Sequence, residues 1–469
     1  MPTDGRGSAS VPRTDAEVGQ AIQQALDRHV GDREQALTPG AVVVVEWGGH
    51  TVVREAHGWA QLTADGRPER RPMDTSIRFD LASITKGLVT TAAVMRLVGD
   101  GRLDLDTRVT EVLPAFQGPE KADLTLAHLL SHTSGLPPWA PVYLHAQDRD
   151  AALDWVASQP LVATPGQAHA YSDLGFMLLG GVLEAVTGQR LDTVTDVEVV
   201  VPLGLTSTAY LPRPDVPTAW VPAGDGTAED PRSVGAGPSA PEEAGAAGRH
   251  GAGAGPREGA GAGARKETGA AGRHGAGAGP REWAGAAAPD RRDGGVAATS
   301  HGDGHERTMI ATGVPYPVAG DPGDFDGWRE HTLVGEVNDG NAWHAFGGIA
   351  GHAGAFATVD DVATFARHLL DGAMGQDNAL APPSVVDRFC QPIGWGRQAL
   401  GWWRDPGDAQ AGGRLVGHSG FTGGRVAVDP TSHTSIVLLA NRQHLGHPAP
   451  DITPLWRELV AALPRRPPA

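Results

Sequence analysis

Cysteine is almost absent: the chain has one, Cys390, among 469 residues, so no intrachain disulfide can form, as expected in a reducing compartment. No run approaches the roughly 18 apolar residues of a membrane span, and the first residues, MPTDGRGSASVPRTDAEVGQ, contain no apolar core of a secretory signal. A cytoplasmic protein with no membrane partner is expected. Positive charge is also in deficit. The formal net charge of −17 argues against a nucleic-acid or anionic-membrane partner. Lysine is scarcer still: only Lys86, Lys121 and Lys266 occur, which leaves 38 − 3 = 35 arginines. Tyrosine occurs four times. No glycine-rich stretch ends in the Gly-Lys-Ser/Thr of a phosphate loop.

Against this background one stretch stands out, FDLASITKGLVTTAAVMRLV, from Phe79 to Val98. Ile84, Leu88, Val89, Ala92, Met95 and Val98 recur at helical spacing, which predicts one buried helix. Ser83 and Lys86 sit three apart at its start, on one face, so Oγ and Nζ can meet. The plain alternative is an N-cap serine followed by a surface lysine. Two features oppose it. A capping box would carry Glu or Gln three residues on, not Lys. A chain that uses arginine almost wherever a cation will do keeps lysine where a removable proton is needed. The expectation is a lysine held neutral that takes the serine's proton.

Residues 15–29 read as an amphipathic helix, and 41–47 and 51–59 as a β-hairpin around Gly48-Gly49. His128 and His132 have the i, i+4 spacing of paired metal ligands, but no Glu lies between them. A helix ended by Ser134-Gly135 is the plainer reading, and no metal is expected. A helix over 176–186 ends at Thr187-Gly188, with Tyr171 and Asp173 just before its first turn. From 221 to 295 the chain turns to Gly, Ala, Pro, Arg and Glu, with an exact repeat, GAAGRHGAGAGPRE, at 245–258 and 269–282. These units have almost nothing to bury, so a disordered insertion is expected rather than a solenoid. Within 327–356, Asp339, Asn341 and His352 read as parts of a Gly-rich loop, with no catalytic role expected. Asp360-Asp361 is expected to cap a helix over 362–372. Strands are expected over 415–430 and 434–441, and a last helix over 452–463.

Three pieces follow in order: Ser83-x-x-Lys86, Tyr171-Ser172-Asp173 and His418-Ser419-Gly420. With their flanks HLLSHTSGL, GGIAGHAGAF and GHSGFTGG, they resemble the serine β-lactamase and penicillin-binding-protein superfamily, in its class C and esterase-like branch. The resemblance covers about 15–220 and 296–463. It implies an α+β fold: an antiparallel sheet flanked by helices, joined to a helical domain, with the site between them. The domain boundaries expected are a tail over 1–14, the α/β domain beginning over 15–110, the helical domain over 111–220, the insertion over 221–295, the remainder of both over 296–463, and a tail over 464–469.

By the same resemblance, Ser83 would be the nucleophile, Lys86 its proton-transfer partner and Tyr171 a second acid/base. His418 and Gly420 would line the strand facing the substrate, and the backbone N–H groups of Ser83 and Phe421 would form the oxyanion hole. The reaction implied is acyl-enzyme formation and hydrolysis of a small ester or amide, with no metal and no cofactor. An acyltransferase, or a sensor that is acylated without turnover, shares the same pattern. An α/β-hydrolase does not fit, because Gly417-His418-Ser419-Gly420-Phe421 lacks the final glycine of a nucleophile elbow. Asp173 stands where the family has Asn. A carboxylate cannot donate to a substrate amide carbonyl. An ionised Asp173 would also hold Lys86 charged and move the base role toward Tyr171. The sequence leaves oligomeric state open.

Overall fold

Thr14 opens the first helix, α1 (Asp15–His29), with a capping box: its hydroxyl accepts from the Glu17 N–H and the Glu17 carboxylate reaches back to the Thr14 N–H at 2.8 Å. The computed structural model describes residues 14–215, 295–318, 320–405 and 414–465. The insertion expected over 221–295 lies outside the described residues except for Gly295, whose carbonyl accepts the Arg78 N–H at 3.1 Å.

The expected hairpin follows as β1 (Gly40–Trp47) and β2 (His50–Ala64). Its turn needs two left-handed residues, supplied by Gly48 at φ 61° and Gly49 at φ 83°. The strand β3 (Arg67–Pro72) is the exposed edge, blunted by arginine and proline. A short β4 (Phe79–Asp80) leads through Ser83 into a π-helical turn, Lys86–Thr91, and on into α2 (Ala92–Gly99). The predicted helix therefore exists, locally widened.

A helical stretch comes next: α3 (Val109–Val112), α4 (Leu126–Leu130), α5 (Arg149–Ser158), α6 (Asp173–Thr187), α7 (Leu191–Thr195) and α8 (Val201–Leu203). Here α4 stops at Leu130, before the expected Ser134-Gly135, and His132 beyond it takes φ 56°. Gly188, left-handed at φ 66°, ends α6 as expected.

The chain continues through β5 (Ala209–Tyr210), β6 (Ala298–His301), α9 (Gly304–Thr312), β7 (Thr332–Val334), a second π turn at Asn341–Ala345, and β8 (Ala355–Ala357). Then come α10 (Val359–Ala373), α11 (Pro383–Cys390), β9 (Trp403–Arg404), β10 (Val416–Ser419), β11 (Arg425–Asp429), β12 (Thr434–Ala440) and α12 (Thr453–Ala462).

The main sheet is antiparallel with order β3-β2-β1-β12-β11-β10-β9. Its centre joins the two ends of the chain, with Ala41 opposite Ala440 and Trp47 opposite Thr434. Alternation along β1 divides the core. Val43 and Val45 pack with α1 and α12 through Ile22, Leu26, Leu455 and Trp456. Val42 and Val44 face the larger cluster that holds Leu88, Val89, Phe356 and Phe365. Both faces of β1 are buried, so the run AVVVV carries no polar alternation. Among the described residues no helix is long and apolar enough to cross a membrane.

The expected cap of α10 is corrected. Thr358 is the N-cap, and Asp360 and Asp361 lie in the first turn. Asp361 does other work: its buried carboxylate accepts the N–H groups of Ser207 and Thr208 at 2.7 Å and of Thr206 at 3.1 Å. Replacing Asp361 with Ala removes the acceptor of three backbone donors. The expected loss is about 3 kcal/mol, since hydrogen bonds to a buried charge contribute ~1.5–3 kcal/mol each and are not additive. A fall in urea midpoint at constant slope is the reading that checks it.

Candidate active site

Ser83 is placed by a tight reversal after β4. The Asp80 carboxylate accepts the Ala82 N–H at 2.8 Å and the Asn338 N–H at 2.6 Å. Ala82 is left-handed at φ 45°. The N–H groups of Ile84, Thr85 and Lys86 then bond back to Leu81, Ala82 and Ser83 at 3.0–3.1 Å. Burial pushes Asp80 up to about 6, against the pull of its two backbone donors.

Lys86 lies one turn on and has no exposed surface. Its Nζ donates to Ser83 Oγ at 2.9 Å and to the His352 carbonyl at 3.0 Å, and pairs with Asp173 Oδ1 at 2.7 Å. Four polar groups crowd the three N–H donors of an ammonium here: Ser83 Oγ, the His352 carbonyl, Asp173 Oδ1 and the Tyr171 hydroxyl. Burial alone would strip the proton, but the Asp173 carboxylate and the Tyr171 hydroxyl outweigh it and hold Lys86 above the ordinary lysine range. The expected neutral lysine is thus replaced by an ammonium. Gly87 lets this segment pass Trp402, since a Cβ there would stand 2.4 Å from that ring.

Tyr171 and Asp173 arrive at the start of α6. Ser172 caps it, accepting the Gly175 N–H at 3.2 Å and donating to the Pro137 carbonyl at 2.8 Å. The Ser172 N–H donates to His132 Nδ1 at 3.0 Å, and the His132 ring lies 4.4 Å from that of Tyr171. The left-handed turn at His132 therefore holds the Tyr-Ser-Asp segment. His128 Nδ1 instead accepts the Thr125 N–H at 3.1 Å, so the two imidazoles serve different backbones. The Tyr171 hydroxyl hydrogen-bonds with Ser83 and with Lys86. Burial and the Asp173 charge raise its pKa, Lys86 opposes them, and the net shift is upward. At neutral pH Tyr171 is a phenol.

Strand β10 closes the other side. Its His418 is 1 % exposed, with Nδ1 2.8 Å from the Ser419 carbonyl and its ring 6.3 Å from Tyr171. Burial and Lys86 push its pKa down to about 3. His418 packs behind the tyrosine, while Ser419, Gly420 and Phe421 line the cavity. A Cβ on Gly420 would stand 2.6 Å from the Leu81 carbonyl, so only glycine lets the strand end reach the Ser83 turn. The backbone N–H groups of Ser83 and Phe421 have no partner among the described residues.

The cavity in front of Ser83 measures about 540 Å³. Trp139, Tyr316 and Trp403 give it aromatic walls. Of its acidic side, the sequence singles out Asp173 and offers Asp339 near the cleft without a catalytic role, while Asp303 and Glu306 are not read from it as site residues. Asp339 pairs with His352 at 2.9 Å, which ties it to the backbone under Lys86. Asp303 pairs with Arg329 at 2.6 Å and His344 at 2.9 Å, and these partners overcome burial to hold it at about 2. Glu306 accepts from the Tyr143 hydroxyl at 2.8 Å and the Gly340 N–H at 2.6 Å. Burial, with Asp339 and Asp303 nearby, pushes Glu306 up. Asn341 turns away and holds the Val142 N–H at 2.7 Å. Arg425 and Arg442 complete the lining.

An antiparallel sheet with α1 and α12 on one face, and a Ser-x-x-Lys turn against the other, is the β-lactamase/transpeptidase fold. Residues 20–461 match the family model described as Beta-lactamase, and the chain belongs to that family. It is 27 % identical over 459 residues to an N-acetylmuramyl-L-alanine amidase of Bacillus subtilis, covering 92 % of this chain and 83 % of the relative. A family VIII carboxylesterase superposes with a TM-score of 0.58 at 18 % identity, covering 97 % of this chain and 98 % of the other. EstCE1, described as a hydrolase with promiscuous acyltransferase activity, superposes at 0.57 with 20 % identity, covering 96 % and 98 %. Among the proteins similar to this chain are amidases, carboxypeptidases and esterases.

Proposed function

We propose that the chain is a serine hydrolase that forms an acyl-enzyme on Ser83 with a small ester or amide. The observation that carries this reading is the convergence of Lys86 Nζ on Ser83 Oγ at 2.9 Å, with the Tyr171 hydroxyl bonded to both, at the wall of an open cavity. Ser83 Oγ attacks the carbonyl carbon and gives its proton to Tyr171 in the form ionised beside the Lys86 ammonium, a minor fraction at neutral pH that grows as pH rises. The negative oxygen is received by the N–H groups of Ser83 and Phe421. Tyr171 returns the proton to the leaving group, and water then releases the acyl group by the same route. Asp173 supports esters over amides, because its carboxylate offers no donor to an amide carbonyl. Transfer to an acceptor other than water is the second reading, supported by the aromatic walls and by the likeness to EstCE1.

Hydrolysis of p-nitrophenyl acetate and butyrate tests the first. Turnover by the wild type that is lost in Ser83→Ala supports it. Turnover that survives in Ser83→Ala removes Ser83 from the role and makes Ser419 the next candidate.

A further inference from the structure

Two carboxylates, Asp80 and Asp339, join the turn that carries Ser83 to a segment that holds Lys86 from behind. Asp80 orders the Ser83 turn by accepting the Ala82 N–H at 2.8 Å. Its other oxygen accepts the Asn338 N–H at 2.6 Å, which fixes one side of Asp339. Glu306 accepts the Gly340 N–H at 2.6 Å, which fixes the other side. Asp339 Oδ1 accepts the Ala342 N–H at 2.8 Å and meets His352 Nε2 at 2.9 Å.

His352 belongs to a segment that runs along the π turn of Lys86. Thr90 Oγ1 donates to the Gly351 carbonyl at 2.6 Å, Lys86 Nζ to the His352 carbonyl at 3.0 Å, and the Ala355 N–H to Thr85 Oγ1 at 3.2 Å. A Cβ on Gly351 would stand 2.2 Å from the Phe176 carbonyl, so α6 presses the segment onto the turn. The bonds close a circuit, from Asp80 through Asp339, His352 and Lys86 to Ser83 and back to Asp80.

The His352 ring is 1 % exposed and does not line the cavity. Its Nδ1 is buried and makes no hydrogen bond among the described residues, so Asp339 is the one polar group that orients the ring. A buried nitrogen without a partner is a cost that an apolar side chain of similar size would not carry. Burial would raise the Asp339 carboxyl, but His352, the Ala342 N–H and Lys86 bring it below the ordinary carboxylate range. Asp80, Glu306 and the Tyr143 hydroxyl also face it.

We propose that Asp339 and His352 are a positioning pair for the reaction: their bond sets where the His352 carbonyl stands, and that carbonyl aims the Lys86 ammonium at Ser83 and Tyr171. This role rests on Ser83 and Lys86 being the reacting pair and adds to that reading what keeps them aligned. Neither Asp339 nor His352 moves a proton. The effect is on geometry, and misplacing a reacting group by about 1 Å costs on the order of 10²-fold in rate.

His352→Leu removes the bond and keeps the backbone carbonyl. It should lower kcat for p-nitrophenyl butyrate by roughly tenfold to a hundredfold, with KM within about threefold of wild type. His352→Gln can return an N–H to the place of Nε2 and should recover most of that loss. Adding Asp339→Asn to His352→Leu should cost no more than His352→Leu alone, because both act through one bond. An ammonium held off its place favours the Tyr171 phenolate less, so the rising limb of kcat/KM should move to higher pH in His352→Leu by about half a unit or more. The same substitution is then made in Lys86→Met, where it should lower kcat by no more than about twofold, since the pair acts through Lys86. Asp339→Asn, isosteric with the native residue, gives the same comparison if the leucine variant does not fold.

Equal losses in the wild-type and Lys86→Met backgrounds overturn the proposal, because a residue that only supports the fold would cost the same in both. An unchanged kcat in His352→Leu overturns it as well. Turnover that survives in Ser83→Ala overturns the reading of Ser83 and this one with it, whereas turnover lost in Ser83→Ala and unmoved in His352→Leu overturns the positioning pair alone.

Discussion

Lys86→Met should lower kcat/KM for p-nitrophenyl butyrate by about 10³–10⁴-fold while the fold survives. The change removes one buried cation that serves three groups at once. Ser83 Oγ loses a donor at 2.9 Å, the His352 carbonyl one at 3.0 Å, and Asp173 its counter-ion at 2.7 Å. The catalytic loss follows from the charge. Tyr171 can ionise in this buried site only because Lys86 opposes burial and the Asp173 charge. Without the ammonium the phenol keeps its proton and Ser83 has no base. General acid–base catalysis contributes about 10²–10⁴-fold, and the misplaced serine adds to that. The Asp173 oxygen that faces Lys86 is buried, so losing its partner also costs some stability. Thermal melting alongside the kinetics separates the two effects: a large rate loss with a Tm change of only a few degrees is the expected pair. An activity within tenfold of wild type would exclude Lys86 from proton transfer.

Asp173→Asn should move the pH profile of kcat/KM to lower pH by at least one unit and raise activity at neutral pH. The sign follows from the charges. The reactive form needs Tyr171 ionised, and Tyr171 lies above its ordinary value, so wild-type activity should climb with pH from neutral upward. The Asp173 carboxylate is one cause of that rise. Removing a negative charge this close favours ionisation by about 1–3 pH units. It also leaves the Lys86 ammonium with Tyr171 as its nearest anion. Asp80 and Glu306, which burial pushes up, titrate in both proteins, so the difference between the profiles isolates Asp173. Neither His418, which lies near 3, nor His132, which burial holds well below its usual range, contributes a limb here. The asparagine also restores an amide donor, so the ratio of p-nitroanilide to p-nitrophenyl ester hydrolysis should rise. Superimposable profiles and an unchanged ratio would contradict this role.

What was legible in the sequence is what short-range pattern controls. The face of α1, the Gly48-Gly49 hairpin, the Gly188 stop of α6 and the strands β10 to β12 follow from periodicity and turn chemistry. Ser83 next to Lys86 also follows, because i and i+3 are neighbours on a helix. What was misread depends on partners far along the chain. Lys86 reads as neutral from its own stretch, and the opposite expectation comes only with Asp173, which the family resemblance and not local pattern brings to the site. Asp361 reads as a cap until its carboxylate is seen gripping 206–208. The end of the helix carrying His128 is expected at Ser134-Gly135 and falls at Leu130. His132 is itself left-handed, and its ring accepts the Ser172 N–H. Asp339 and His352 lie in a Gly-rich stretch that has no periodicity to report a pair reaching the backbone under Lys86. Arg425 falls in a strand pattern, where an inward arginine carries no local signature.

The central claim is that Ser83 is the nucleophile. Intact-mass analysis after exposure to a fluorophosphonate probe tests it most directly, on the wild type and on Ser83→Ala. The account predicts one adduct on the wild type, mapped to Ser83, and none on Ser83→Ala. An adduct of equal yield on Ser83→Ala would contradict it.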